Sequence, residues 1–312
     1  MENPLVSVVI PVYNGQRFLR QAIDSVLAQT YKNLEAIVVN DGSTDRSAEV
    51  MRAYGGRIVA VHQYNMGVGG ARNTGMKKAR GQFIAFLDQD DWWRPEKVAK
   101  QVARFAADKN LGLVHTGVAH WEEGTNAFVG PLDPAARPGL LAGNCYQRLL
   151  EDNQIYNSSV MVRTEVLRRV GLCDPEIRGN TVQDYDLWLR LAKVSRFAFL
   201  PEELTVFRIH GRQGTWDRRE MLGEEARLLE RVLRGEPPEV RKAMRLRMAR
   251  LYVELGTSHL DFAERPLARR SYGRSLGWRF TLRAALLWAA SLLPDVILRR
   301  LRRTRGKRTA GK

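Results

Sequence analysis

Cysteine is scarce in this sequence, which contains only Cys145 and Cys173 in 312 residues. Two cysteines are too few for a disulfide framework, and neither lies at the spacing from other ligands that a zinc site needs. Glycine and proline are also limited, with 26 and 12 residues, so the chain is neither collagenous nor low in complexity. We therefore expect a globular protein of a reducing compartment with two inert thiols.

Long apolar runs are missing as well. The longest apolar stretch, residues 284–298, contains Pro294 and Asp295, and it is shorter than the roughly twenty residues of a membrane-spanning helix. The N-terminal segment lacks the basic start and the small-residue cleavage site of a signal peptide. The sequence thus predicts a cytoplasmic chain without a transmembrane helix.

Positive charge is concentrated in the last part of the chain. The net charge is +16, of which residues 265–312 contribute +13, with 14 Lys and Arg against one Asp. Residues 1–219 contribute +4 and residues 220–264 contribute −1. Any anionic partner that the basic composition implies is therefore expected at the C-terminal end.

The first ninety residues alternate between apolar runs and segments of helical periodicity. Short, continuously apolar runs predict buried strands at residues 5–14, 35–43, 57–63 and 81–88. Helices are expected over residues 16–29, from a cap at Ser43 or Thr44 to about Tyr54, and over residues 68–78. This alternation is typical of an α/β fold with a mostly parallel central sheet flanked by helices.

Polar side chains follow the predicted strands at the points where they end. They are Tyr13 and Asn14, Asn40 and Asp41, Asn65, and the acids between Asp88 and Asp91. Ligands of such sheets bind at the carboxyl ends of the strands. The sequence therefore predicts a binding site at this edge.

The rest of the chain is less regular and then becomes helical. Strands are expected at residues 111–121, 157–163 and 196–209, and helices at 164–169 and 182–193. Within residues 251–277, Gly256, Ala268 and Tyr272 stand where a tetratricopeptide-type helical hairpin has them. We expect an α/β domain over residues 1–217 and an all-helical region with a basic amphipathic tail over residues 218–312.

Five segments together resemble glycosyltransferase family 2, whose members have the Rossmann-like GT-A fold. They are VSVVIPVYNG, VVNDGSTD, NMGVGGARNTG, LDQDD and QDYDLWLRLA, in that order. The resemblance covers about residues 4–212. It implies an inverting enzyme that uses a nucleoside-diphosphate sugar.

The resemblance implies a cation at Asp88 and Asp90. Hard carboxylate oxygens suit Mn²⁺ or Mg²⁺, which would bridge the diphosphate of the donor. A His after the last strand often completes the metal shell in the family, and His210 has that place. The alternatives are a solvated acidic turn at Asp88 to Asp91 and an exposed loop histidine at 210.

The resemblance also implies a nucleotide site at the strand ends. Its residues would be Pro11, Val12, Tyr13 and Asn14 beside the base, with Asp41, Gly69, Arg72 and Asp88. A carboxylate at Asp41 suits the imide N–H of uracil, which favours a UDP-sugar. The alternatives are a turn aspartate at 41 and a helix-face ion pair at Arg72.

The segment QDYDLWLRLA holds the candidate catalytic base. In the family the corresponding acid deprotonates the acceptor hydroxyl, and Asp184 matches it. Asp186 is the competitor, and both residues would alternatively stabilise a helix start. Gln183 stands where the family more often has Glu, so a neighbouring charge is missing here.

The C-terminal tail, residues 281–308, joins an apolar stretch containing Trp288 to a basic cluster. This combination is typical of an interfacial helix on an anionic membrane. A core helix with a solvated tail is the alternative, and nucleic acid is not expected because the aromatics there are few.

The sequence therefore predicts a divalent-metal-dependent, inverting glycosyltransferase acting on a glycan or lipid-linked acceptor. We expect the enzyme to act in the synthesis of cell-surface polysaccharide or glycolipid. The basic C-terminal tail suggests that it is a peripheral protein on the inner face of the cell membrane. One alternative is an enzyme like the sugar-1-phosphate nucleotidyltransferases, but residues 10–20 do not contain the basic, glycine-rich triphosphate loop of such enzymes. The other alternative is a non-catalytic module that binds nucleotide sugars.

Overall fold

The computed structural model describes residues 3–130, 141–177, 182–211 and 217–292. The chain divides into two compact units, Met1–Gly214 and Thr215–Lys312. The first unit contains a sheet with helices around it, and the second unit is helical over its described residues.

The strands of the first unit belong to one sheet. Within the described residues they are β1 Val6–Val12, β2 Leu34–Asp41, β3 Val59–Gln63, β4 Phe83–Phe86, β5 Trp92–Trp93, β6 Leu111–Glu122, β7 Ala127–Val129, β8 Met161–Arg163 and β9 Arg196–Ile209. Their order across the sheet is β3-β2-β1-β4-β8-β6-β9-β5, with β7 paired to β6.

The two halves of the sheet differ in strand direction. The strands β3, β2, β1 and β4 run parallel to one another. The next strand, β8, is antiparallel to both β4 and β6, whereas β6 and β9 are parallel. The expected α/β fold is confirmed, and its parallel half carries the four strands that the sequence identified first.

The helices of the first unit follow the strands. Within the described residues they are α1 Leu19–Leu27, α2 Ser47–Arg52, α3 Gly67–Lys78, α4 Lys97–Ala107, α5 Tyr146–Glu151, α6 Thr164–Val170 and α7 Gln183–Ala192. The predicted helices near 164–169 and 182–193 are confirmed as α6 and α7.

Strand β1 is buried on both faces, as its continuous apolar run predicts. Val8 and Ile10 belong to the large core, together with Ile23 of α1. On the opposite face Val9 lies against α3, where a Cβ atom added to Gly75 would come within 2.3 Å of Val9 Cγ1. The lack of a side chain at Gly75 therefore lets α3 pack directly on β1.

Two helix starts differ from the expectation. Helix α1 begins at Leu19 rather than near residue 16, because residues 16–18 form a turn in which the Phe18 and Leu19 N–H groups both donate to Gly15 O. Helix α2 begins at Ser47 without a side-chain cap from Ser43 or Thr44. Instead Asp45 Oδ1 accepts a hydrogen bond of 2.9 Å from the Ser47 N–H.

The second unit is a set of helices, as predicted. Within the described residues they are α8 Arg218–Arg234, α9 Pro238–Asp261, α10 Arg265–Trp278 and α11 Leu282–Ala290. The α9–α10 hairpin packs closely, since a Cβ atom at Gly256 would lie 2.6 Å from the Tyr272 ring. Ser275 Oγ also donates a 2.8 Å hydrogen bond to Ala249 O across this hairpin.

None of the helices in the described ranges has both the length and the apolar character needed to cross a bilayer. Of the tail predicted over 281–308, the structure describes α11 and residues up to 292. The basic cluster that follows lies outside the described residues.

Candidate active site

The DQDD segment forms a turn at the end of β4 that is tied to the end of β1. The Asp91 N–H donates to Asp88 O across the turn. Gln89 holds the Tyr13 backbone through two hydrogen bonds, from Tyr13 N–H to Oε1 at 2.9 Å and from Nε2 to Tyr13 O at 3.1 Å. A Cβ atom at Gly15 would lie 2.2 Å from Gln89 Oε1, so glycine is required there for this contact.

Asp91 is the buried anchor of the turn. Its Oδ2 accepts a 2.6 Å hydrogen bond from the Ser158 hydroxyl, and its Oδ1 accepts one of 3.1 Å from the Arg208 N–H. The Ser158 oxygen in turn accepts the Asp88 N–H at 3.0 Å. Burial raises the pKa of the Asp91 carboxyl well above its usual range, and the neighbouring Asp90 and Asp88 raise it further. Asp91 therefore anchors the turn within the protein, whereas Asp88 and Asp90 are less buried.

Asp90 and His210, both predicted metal residues, are brought together. His210 Nε2 lies 3.0 Å from Asp90 Oδ2, and the imidazole packs on the Phe18 ring at 4.7 Å between centroids. Arg208 Nε donates to Asp90 O at 2.9 Å. The Arg208 guanidinium lies between the rings of Phe18 and Trp92, 4.6 Å from each centroid, and it fixes the backbone that carries Asp90.

Asp88 and Arg72 form a partly buried ion pair. Arg72 Nη2 and Asn157 Nδ2 both donate to Asp88 Oδ1, each over 2.9 Å. The Arg72 side chain is 7% exposed. Two buried atoms here, Arg72 Nε and Asn157 Oδ1, have no hydrogen-bond partner among the described residues. Because unsatisfied buried polar atoms are costly, a water molecule or a polar ligand would be needed to complete this network.

Asp184 lies close to this pair. It is half-buried in the first turn of α7, and its Oδ1 accepts the Tyr185 N–H at 2.7 Å. Burial raises the pKa of the Asp184 carboxyl, Arg72 lowers it, and Asp88 raises it. The predicted base, the arginine of the predicted nucleotide site and the first acid of the DQDD turn therefore share one electrostatic environment.

Helix α3 contacts the start of α7 through Gly69. A Cβ atom at Gly69 would come within 2.9 Å of the Gln183 side chain. The glycine predicted for close approach to a nucleotide thus also permits close packing beside Asp184.

Asp186, the competitor for the role of base, forms a structural ion pair. Its carboxylate is 6% exposed and forms an ion pair of 2.8 Å with Arg190 on the next turn of α7. Arg190 also donates to Val170 O at the end of α6 and to Leu172 O just after it. Asp186 therefore holds an arginine that caps a neighbouring helix.

Asp41 is buried at the end of β2, where its Oδ1 accepts hydrogen bonds from Gln63 Nε2 at 2.6 Å and from the Met66 N–H at 2.8 Å. It therefore fixes the start of α3. No hydrogen bond joins Asp41 to Asp88, Asp90 or Asp184 in the described part of the chain.

The predicted base-side wall lies at the end of β1. Pro11 and Val12 are buried, whereas Tyr13 and Asn14 are exposed. Asn14 ties this loop to the one after β2, because its Oδ1 accepts the Thr44 N–H at 2.8 Å. A cleft of about 900 Å³ opens here. Its lining includes Tyr13, Asn14, Gln89, Asp90 and His210, but not Asp41, Arg72, Asp88 or Asp184.

Asp88 and Asp90 at the DQDD turn could supply some of the oxygen ligands of a hard divalent cation. Asp88 uses Oδ1 for its protein contacts and Asp90 uses Oδ2, so each carboxylate has a second oxygen to offer. No group of three or more His, Cys, Asp and Glu side chains in the described ranges could hold a cation. Mg²⁺ and its analogues are bound in this way when water and substrate phosphates supply the remaining ligands.

Sequence reasoning missed Gln89, Asn157, Ser158 and Arg208. Gln89 stands inside the DQDD motif as its variable residue, and no local pattern marks Asn157 or Ser158. Arg208 gives one signal, a charge within the otherwise apolar end of the predicted strand 196–209.

Comparison with known proteins supports the resemblance. The profile of the family described as Glycosyl transferase family 2 matches residues 7–170. An uncharacterized glycosyltransferase of Rickettsia typhi is 35% identical over 216 residues, which are 68% of this chain and 66% of that protein. The aligned part is 31% of a Rickettsia bellii glycosyltransferase and 16% of the glycosyltransferase GlyA of Streptococcus pneumoniae. The chain thus spans less than two thirds of the length of these curated relatives.

Two solved structures share the fold. TarS 1–349 of S. aureus in complex with UDP-GlcNAc matches with a TM-score of 0.58 at 16% identity, over 92% of this chain and 79% of that one. The mannosyltransferase PcManGT of Pyrobaculum calidifontis, in complex with GDP-Man and Mn²⁺, matches with a TM-score of 0.61 at 19% identity, over 93% of this chain and 80% of that one. These likenesses confirm the expected GT-A-type fold.

Proposed function

The chain belongs to glycosyl transferase family 2, and we propose that it transfers a sugar from a nucleoside-diphosphate sugar to a hydroxyl acceptor, with inversion at the anomeric carbon. The observation that carries the proposal is the position of Arg72. It pairs with Asp88 over 2.9 Å and influences the pKa of Asp184. A guanidinium between the candidate cation-binding acid and the candidate base suits the diphosphate of a donor. We assign this chemistry to the α/β domain, residues 1–217.

The donor site would use the ends of β1, β2 and the start of α3. Pro11, Val12, Tyr13 and Asn14 would pack beside the base, and Asp41 would face its edge. Gly69, Arg72 and Asp88 would meet the ribose and phosphates. The neighbours that bind UDP-GlcNAc and GDP-Man are consistent with a nucleotide sugar, and the carboxylate of Asp41 favours a UDP-sugar.

A divalent cation, Mn²⁺ or Mg²⁺, would be held by Asp88 and Asp90 with His210 as a further ligand. When bound, it would neutralise the charge that develops on the departing nucleoside diphosphate. Asp91, Ser158 and Arg208 keep the turn in place for this purpose.

Asp184 would act as the general base. An ionised carboxylate whose pKa is raised by burial binds a proton more readily than an exposed one does. The acceptor hydroxyl would give its proton to Asp184 as its oxygen bonds to the anomeric carbon, and the bond from that carbon to the diphosphate would break. A single displacement of this kind inverts the anomeric centre.

The acceptor would be a glycan or a lipid-linked sugar, within synthesis of cell-surface polysaccharide or glycolipid. The basic C-terminal tail would bring the enzyme to an anionic membrane, on the inner face of the cell membrane, where the free and buried Cys145 and Cys173 stay reduced. No nucleic-acid partner is proposed.

The proposal is tested by incubating the full chain with Mn²⁺ or Mg²⁺ and a panel of UDP-, GDP- and dTDP-sugars, with simple glycosides as acceptors. Release of nucleoside diphosphate and a product whose anomeric configuration is opposite to that of the donor are expected. Release of pyrophosphate from nucleoside triphosphate and sugar 1-phosphate would instead indicate a nucleotidyltransferase. Binding of a nucleotide sugar without turnover of any donor would indicate a non-catalytic module.

A further inference from the structure

A basic cleft of about 470 Å³ lies on the helical unit, between α9 and α10. Arg241 and Arg245 line it from α9, and Arg274, Gly277 and Trp278 line it from α10. Each helix contributes side chains one turn apart, which project from the same face. The cleft is therefore formed by the regular packing of two helices and not by a loop.

The charge of this cleft is only partly balanced. Arg274 pairs with Glu230 over 3.1 Å, and it also donates to the Tyr252 hydroxyl at 2.8 Å. Arg241 and Arg245 are exposed, and neither has an ion-pair partner among the described residues. Three guanidinium groups around one cleft repel one another unless an anion lies between them. The cleft is thus suited to a phosphate group, which accepts several N–H donors at once.

The chain that follows the cleft exposes apolar side chains. Trp278 ends α10 in a half-buried position, and the next apolar residues, Phe280 and Leu282, are 72% and 69% exposed. Leu286 on α11 is exposed as well. A tryptophan beside arginines and exposed apolar side chains is the arrangement found where a protein meets the headgroup region of a bilayer.

We propose that the cleft between Arg241, Arg245, Arg274 and Trp278 binds the phosphate of an anionic phospholipid and docks the helical unit on a membrane. The proposal rests on the membrane location in the proposed function and not on glycosyl transfer. Charge complementarity supports a lipid surface as the partner, because residues 265–312 carry a net charge of +13. The exposed apolar side chains that follow the cleft along the chain would reach the acyl boundary, a contact that a free phosphate would leave unused.

The test is co-sedimentation of the full chain with vesicles of phosphatidylcholine alone or with phosphatidylglycerol added, without donor or cation. Binding to the anionic vesicles is expected. The double variant Arg241→Gln/Arg245→Gln should lower the partition coefficient roughly thirtyfold, the factor expected for two basic residues at an anionic surface. The matched control, Lys242→Gln/Arg250→Gln, removes the same charge from exposed positions of α9 outside the cleft and should have a much smaller effect.

Trp278→Ala should also weaken vesicle binding, and Trp278→Phe should largely restore it. Equal losses of vesicle binding in the two double variants would show unspecific electrostatic attraction and would overturn the proposed site. Unchanged vesicle binding in Arg241→Gln/Arg245→Gln would also overturn it.

Inorganic phosphate is the probe in a second experiment. If it binds to the wild-type cleft while anionic vesicles do not, the ligand is a free anion and the lipid assignment is wrong. Thermal unfolding checks that each variant is folded. Vesicle binding is measured without donor or cation, so its result does not depend on whether the chain is an active glycosyltransferase.

Discussion

The Arg72 guanidinium donates to Asp88 Oδ1 over 2.9 Å and at the same time lowers the pKa of the Asp184 carboxyl. One residue of α3 therefore links the turn after β4 to the first turn of α7. The stretch of chain between Asp88 and Asp184 includes β5 to β8 and α4 to α6, so only the folded sheet brings these groups together. The proposed chemistry depends on this link.

The first prediction concerns pH. Asp184 can accept a proton only when it is ionised, that is, above its pKa, so activity falls as the pH falls through that pKa. Burial raises the pKa and Arg72 counteracts this effect. Arg72→Gln should therefore move the acid limb of kcat/KM to higher pH, and Arg72→Lys should move it back because it keeps the charge. The profile is measured at saturating cation. An acid limb that is unmoved, or that moves to lower pH, contradicts this role of Arg72.

The second prediction separates Asp184 from Asp186. Asp184→Asn removes a half-buried charge that burial disfavours, so the free energy of unfolding should be unchanged or slightly higher. Its kcat should fall by about 10²- to 10⁴-fold. Asp186→Asn breaks the ion pair with Arg190 and should lower the free energy of unfolding by about 2 kcal/mol.

Denaturant unfolding and steady-state kinetics on both variants provide the measurement. If Asp186→Asn loses its activity while it keeps wild-type stability, the two assignments must be exchanged.

The third prediction compares two glycines of α3. A Cβ atom at Gly69 meets the end of the Gln183 side chain at 2.9 Å, whereas one at Gly75 meets Val9 Cγ1 at 2.3 Å. The Gln183 amide can shift, so Gly69→Ala should change stability by less than about 1 kcal/mol but lower kcat about tenfold through the displaced start of α7. Val9 is enclosed in the core, so Gly75→Ala should cost about 2 kcal/mol or more.

Unfolding midpoints and kcat of the two alanine variants test this contrast. Adding Gln183→Ala to Gly69→Ala removes the clash and should recover part of the activity. A Gly69→Ala enzyme with wild-type kcat shows that this contact does not position Asp184.

The sequence predicted the parallel half of the sheet because its strands are continuous apolar runs. Strand β1 is buried on both faces. A strand buried in this way needs apolar residues at consecutive positions, and this continuous run is visible in the sequence. The order in the other half could not be predicted. Strand β8 has three residues and pairs antiparallel with both β4 and β6, and so short a run carries no information about its neighbours.

The positioning residues of the site were missed for a similar reason. Arg208 contacts Asp90, Asp91 and Gln21, the last of them 187 positions away in the chain. Such contacts arise from the register of β9 beside β5, in which Trp92 pairs with Val206. A motif reports the residues that meet a ligand, whereas the residues that hold the motif are determined by tertiary packing.

The fourth prediction concerns the stability of the sheet at low pH. His115 on β6 is buried, its Nε2 lies 3.1 Å from Leu141 O, and burial lowers the pKa of its imidazole to about 4. The unfolded chain takes up this proton near pH 6.5, whereas the folded chain does so only near pH 4. The stability contributed by neutral His115 is therefore complete above about pH 6.5 and falls towards pH 4, by at most about 3 kcal/mol.

Denaturant midpoints of wild type and His115→Gln between pH 7 and pH 4.5 measure this effect, since the variant lacks the titrating group. The slope of stability against pH should be smaller in His115→Gln than in wild type. Identical slopes in wild type and His115→Gln would show that His115 titrates normally.

In the proposed mechanism Asp90 and Asp184 serve one cation-held diphosphate. Cation-dependent release of nucleoside diphosphate, measured together with nucleotide binding, tests this pairing of roles. Asp90→Ala should lose both the release and the cation-dependent binding. Asp184→Asn should keep the binding and lose the release. If Asp90→Ala still binds and turns over the donor with the wild-type dependence on Mn²⁺ or Mg²⁺, the DQDD turn does not hold the cation and the proposed mechanism is wrong.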